Sequence, residues 1–135
     1  MSMAKGIYIL VVSVSEDINL NVGALGSVNF EKGLYAYVGS GQNNLEKRIA
    51  RHLRKTKQKF WHIDYLLDDA HVEVAKVFHK KAEKLEECEV SKNISKIGVP
   101  VKGFGSSDCK CESHLFKLEN YQFLREFMHE TTLPT

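Results

Sequence analysis

Residues 6–14, GIYILVVSV, are apolar and β-branched or aromatic at almost every position. That pattern predicts a central strand covered on both faces. Short apolar pieces broken by turn formers follow in SEDINLNVGALGSVNFEKG, and they predict a hairpin-like insertion with strands near 18–22 and 26–30. LYAYVGS at 34–40 predicts a second core strand that ends among Gly39 and Gly41.

The period then changes. Leu45, Ile49 and Leu53, with Ala50 beside them, recur at helical spacing, and Asn43 or Asn44 can cap the helix they define. WHIDYLLDD reads as a short helix or turn, and HVEVAKVFH alternates as a strand does. KKAEKLEECEVSKNISK predicts a second long helix ended near Gly98 and Pro100. After the loop GFGSSDCKCES, HLFKL predicts a last strand, and ENYQFLREFMHE a closing helix with Tyr121, Leu124 and Met128 on one side. This order describes one α+β domain spanning residues 1–135.

Composition narrows the class. The chain has 135 residues, 43% hydrophobic and 27% charged, an ordinary globular balance for a single core. No apolar run approaches the roughly 20 residues that span a bilayer. The opening MSMAKGIYILVV lacks the small-residue cleavage site of a signal peptide, so a cytoplasmic protein is expected. Three cysteines, with Cys109 and Cys111 only two apart, argue against a disulfide framework and for a reducing compartment.

Net charge is only +2, but its distribution is uneven. Lys47, Arg48, Arg51, Arg54, Lys55, Lys57 and Lys59 face a single acid, Glu46, across fifteen residues. Phosphate contacts explain an excess that solubility does not require. DNA is therefore the expected partner, bound with steep salt dependence and little base preference.

The same region holds groups suited to phosphodiester hydrolysis. Two strands each deliver a tyrosine, Tyr8 and Tyr37, and the second runs into a glycine turn. Arg48 and His52 are four apart and share a helix face. A later helix offers Glu86, Glu87 and Glu89. Cleaving a phosphodiester needs help in deprotonating water, a cation on the phosphate oxygens and a carboxylate for a divalent metal.

In this order the motifs GIY at 6–8, YVG at 37–39, LEKRIARH at 45–52 and a helix with LEECEV resemble the GIY-YIG nuclease superfamily. VGALGSVNFEKGLYAYVGSG, WHIDYLL and GFGSSDCKCESHLF resemble its Uri-type branch of archaea and bacteria. The resemblance implies a small, mainly antiparallel sheet flanked by helices, with the hairpin insertion folded outward so that the two tyrosines meet. It implies a metal-dependent endonuclease using Mg²⁺ (or Mn²⁺). Tyr8 would orient or activate the attacking water, Tyr37 support it through hydrogen bonds, Arg48 neutralise the scissile phosphate, and His52 position these groups or shuttle a proton. Glu87 is the expected metal ligand, with Glu86 as the alternative.

Two further sets stay open. CKCESH offers Cys109, Cys111 and His114 for zinc, with Cys88 as a conceivable fourth ligand. A tight turn in which Asp108, Ser106 and Ser107 cap backbone groups is the alternative. His62 and Asp64 either line the DNA cleft, as Asp108 would, or begin a helix with Trp61 packed inside. Besides the nuclease, two other readings are a non-catalytic nucleic-acid-binding domain and a zinc-stabilised interaction module. A protein partner for targeting is a further expectation. Oligomeric state is left open by the sequence.

Overall fold

A computed structural model of the chain describes residues 5–41, 44–54, 59, 61–105, 111–126 and 128–131. Strand β1 (Gly6–Val14) lies inside a six-stranded antiparallel sheet, and β2 (Ile18–Asn21) and β3 (Ser27–Phe30) form a separate two-stranded hairpin. Then come β4 (Gly33–Gly41), α1 (Leu45–Leu53), α2 (His62–Leu67) and β5 (Val72–Lys80). Helix α3 (Glu86–Ile94) and strands β6 (Val99–Pro100), β7 (Leu115–Leu118) and β8 (His129–Thr131) complete the order. The large sheet runs β6-β7-β4-β1-β5-β8. This is an α+β fold, and the hairpin is inserted between the two central strands as its turn residues predicted.

The apolar run of β1 is continuous because both of its faces are buried. Tyr8, Leu10, Val12 and Val14 join Tyr35 and Tyr37 of β4 in one core, which α1, α2 and the hairpin cover. Ile7, Ile9 and Val11 join Ala36 and Val38 in a second core, closed by Val90 and Ile94 of α3 and by Leu124 and Met128. Register is direct: Tyr8 lies opposite Gly39, and Leu10 opposite Tyr37. The two tyrosines are therefore diagonal neighbours on one face.

Two predicted elements come out differently. The second long helix is shorter, beginning at Glu86, because residues 81–85 turn the chain off β5. Ala82 is buried at that turn, and the Glu83 N–H donates to Glu86 Oε2 at 2.9 Å. The closing helix is a 3₁₀ turn over Gln122–Glu126 followed by β8. Leu124 and Met128 are buried as their spacing demanded. The chain then pairs His129 with His79 and Glu130 with Phe78, because an open edge of β5 offers ladder hydrogen bonds that a short helix cannot match. Among the described residues no helix is long and apolar enough to cross a membrane.

Candidate active-site cleft

Helix α1 sets the geometry. Asn44 caps it, its side chain accepting from the Lys47 N–H at 3.0 Å. Leu45 and Ile49 are buried in the tyrosine-side core, and His52 goes in with them. Arg48, one turn before His52, is held over the start of the sheet by a 3.1 Å hydrogen bond from Nη1 to the Ser40 carbonyl. Its guanidinium lies 4.5 Å from the centre of the Trp61 ring, a stacking that fixes the fork without neutralising it.

Tyr8 is buried, and its hydroxyl lies 2.6 Å from His52 Nε2. The Tyr8 and Tyr37 ring centres are 6.5 Å apart, and His52 packs against both. Burial pushes the Tyr8 phenol well above its ordinary range, and Tyr37 and Glu87 push the same way. Arg48 opposes them through its charge and a hydrogen bond. At neutral pH Tyr8 keeps its proton, and the His52 tautomer sets which of the two groups donates across the contact.

Gly39 makes room for this arrangement. A Cβ at that position would run into the Tyr8 ring, so only glycine lets the phenol lie across β4. The glycine of the YVG motif thus marks a close approach of the Tyr8 ring to the β4 backbone.

At the open end of β1 and β4 is a cleft of about 480 Å³ lined by Tyr8, Tyr37, Arg48 and Glu87 together with Trp61 and His62. Gly39, Ser40, Lys84 and the loop residue Gly105 complete its walls. Glu87 comes from α3, which packs on the opposite sheet face, and its charge nevertheless acts on Tyr8. Glu86 does not line the cleft, because its carboxylate turns back to the Glu83 N–H and lies 4.0 Å from the Lys80 ammonium. His62 Nδ1 accepts the Gly105 N–H at 2.8 Å, and burial lowers the imidazole pKa.

Asp64 takes the other of its two expected roles. It is buried, accepts the Trp61 N–H at 2.9 Å, and binds Arg51 in a two-pronged pair at 2.9 and 3.0 Å. Asp64 thus begins α2 and holds it to α1, away from the cleft lining. Arg51 is committed to that pair and to the Trp61 face, 4.4 Å from the ring centre. Lys47 and Arg54 are exposed, and with Arg48 and Arg51 they line a second depression of about 560 Å³ along α1. Arg48 borders both depressions. Lys59 is also exposed, 3.4 Å from Asp68. Lys55, Lys57, Asp108 and Cys109 lie outside the described residues.

Four lining residues, Ser40, Trp61, Lys84 and Gly105, escaped the sequence reading. Trp61 had a signal, a lone tryptophan directly after the basic run. Lys84 had none.

A family profile matches residues 7–133. The chain belongs to the family described as domain of unknown function DUF123. No curated protein and no solved structure matches the chain. The DUF123 match takes in every strand and helix described above except Gly6 at the start of β1, so cleft and basic depression both lie within the family's domain.

Proposed function

We propose that this chain is a metal-dependent DNA endonuclease of the GIY-YIG type, in its Uri-type branch. The supporting observation is convergence: four side chains far apart in sequence, Tyr8, Tyr37, Arg48 and Glu87, line one cleft. That cleft adjoins a cationic depression through Arg48. Lys47, Arg48 and Arg54 supply the charge for a duplex backbone, and a phosphate seated there meets the Arg48 fork.

Tyr8 is the general base for the attacking water. Its phenol is too weak an acid at rest, and His52 at 2.6 Å is the acceptor for its proton. Arg48 favours the phenolate that results, by charge and by hydrogen bond. Arg48 also neutralises the phosphate, and Tyr37 packs the base in place. His62, kept neutral by burial, adds a polar wall without competing charge.

Glu87 fits a hard divalent cation. It is the one carboxylate among the described lining residues of the cleft. Mg²⁺ accepts a single carboxylate while retaining waters. Bound there, Mg²⁺ or Mn²⁺ would offset charge developing on the phosphate and the leaving oxygen.

Supercoiled plasmid incubated with the protein and Mg²⁺, Mn²⁺ or chelator tests the proposal. Nicking is expected with metal and absent with chelator. Tyr8→Phe, Arg48→Ala and Glu87→Ala should each lower it by about 10²- to 10⁴-fold, with circular dichroism unchanged. Variants that nick like the parent would sink the assigned roles. Salt-dependent binding without any nicking would leave a non-catalytic DNA-binding domain.

A further inference from the structure

The active-site cleft is not the only place where ligating side chains meet. Cys88 lies on α3, and Cys111 and His114 come from the segment leading into β7. One potential ligand atom from each lies within 4.8 Å of the others. These residues are 23 or more positions apart across the two elements, so chain proximity does not explain the gathering.

Ligand chemistry points one way. Two thiols and an imidazole are a soft to borderline donor set, which selects zinc over magnesium or calcium. In a tetrahedral zinc site, bonds of about 2.0–2.3 Å put ligand atoms roughly 3.5 Å apart. The observed spread needs only a small closing movement of the thiol side chains.

The surroundings are those of a built site. His114 is buried, and its Nδ1 lies 2.7 Å from the buried Ser91 Oγ. A ligating histidine is held in orientation by such a partner on its ring. Ser91 stands three residues after Cys88, on the same face of α3. Both cysteines are only half-buried and line, with Ser91, a depression of about 510 Å³. An ion therefore has an entry path.

From this constellation we infer that Cys88, Cys111 and His114 bind one Zn²⁺, which clamps the first turn of α3 to the strand-leading segment before β7. The three described residues leave one further coordination position on a tetrahedral ion. The clamp has a consequence for the neighbouring site. Cys88 directly follows Glu87, so the ion fixes the end of α3 that carries the cleft's carboxylate. The site itself does not depend on the nuclease reading, since Glu87 is not among its ligands.

Chelator-stripped, reduced full-length protein is titrated with Co²⁺. Saturation at one ion per chain is expected, with thiolate-to-cobalt absorption in the near ultraviolet and the strong visible bands of tetrahedral cobalt. One equivalent of Zn²⁺ should erase both and raise the Tm. Cys88→Ser and Cys111→Ser should abolish the thiolate band in proportion, and Ser91→Ala should weaken binding about 10- to 100-fold. Glu87→Ala should leave the spectrum intact, which separates this ion from any in the cleft. Apo variants are compared with apo parent by circular dichroism, so a misfolded variant is replaced by the other cysteine variant. Cobalt spectra unchanged in both cysteine variants would overturn the inference. So would a Cys88–Cys111 disulfide found by mass spectrometry in protein that takes up no metal.

Discussion

Tyr8 and Gly39 form the tightest residue-level constraint in the cleft. They are register partners on β1 and β4, and the ring occupies the space where any other residue at 39 would carry a Cβ. Gly39→Ala must push the ring away, and the 2.6 Å contact between the phenol and His52 moves with it. Overpacking of this kind costs about 1–3 kcal/mol. Thermal melting should show a Tm lower by several degrees, and plasmid nicking should fall as far as in Tyr8→Phe. Parental values of both would mean that the strand yields and the ring does not. The glycine itself was readable in YVG. Its reason was not, because the ring it accommodates belongs to another strand.

Helix α1 divides its cations between a buried ion pair and the exposed face proposed to bind DNA. Arg51 pairs with a carboxylate whose side chain is fully enclosed, whereas Lys47 is exposed. Removing one member of a buried pair strands the other, at about 3 kcal/mol or more. Arg51→Ala should therefore lower the urea-unfolding free energy by roughly that amount. Lys47→Ala should change it by less than about 0.5 kcal/mol. On duplex DNA the expected order reverses in character: Lys47→Ala should reduce the logarithmic salt slope by about one unit per lost phosphate contact. Equal stability of the two variants would show that the Arg51–Asp64 pair contributes nothing to the fold. Periodicity revealed Leu45 and Ile49 as the buried side of α1 but also counted the exposed Ala50, and local signals narrowed its cap to Asn43 or Asn44. It could not separate Arg51 from Lys47, because Asp64 sits on α2. The same blindness to tertiary partners lengthened α3 and turned β8 into a helix. Propensity and spacing describe Leu124 and Met128, while the open edge of β5 sets the extended conformation of His129–Thr131.

Across the whole molecule, the cleft is closed by a contact between distant segments, the Gly105 N–H donating to His62 Nδ1 at 2.8 Å. A Cβ at Gly105 would lie 3.2 Å from the Tyr37 ring, so the glycine backbone sits beside that ring. That tie requires an unprotonated Nδ1, and burial lowers the His62 pKa. On the far edge of the sheet, burial and the neighbouring His129 lower the His79 pKa in the same direction. A depressed histidine pKa in the fold means that the unfolded chain takes up protons first. Stability should thus be fully present above the unfolded value of about 6.5 and fall as pH drops below it. Glu130 titrates in a separate and more acidic window, because Arg125 holds its carboxyl down. Its contribution is present above the unfolded carboxylate value and lost as pH falls toward its lower folded value. Urea unfolding from pH 7.5 to 5 should therefore give a free energy that declines on acidification. His62→Asn keeps an oxygen near the Nδ1 position to accept from Gly105 and removes the titration, so its decline should be shallower than the parent's. Parallel curves for parent and His62→Asn would remove His62 as a source, and a flat parent curve would remove His79 as well. Because Gly105 lines the cleft beside Tyr37, the loosening should reach the cleft before global unfolding, and amide exchange at Gly105 should quicken on acidification ahead of the amides in β1 and β4 once intrinsic exchange rates are divided out.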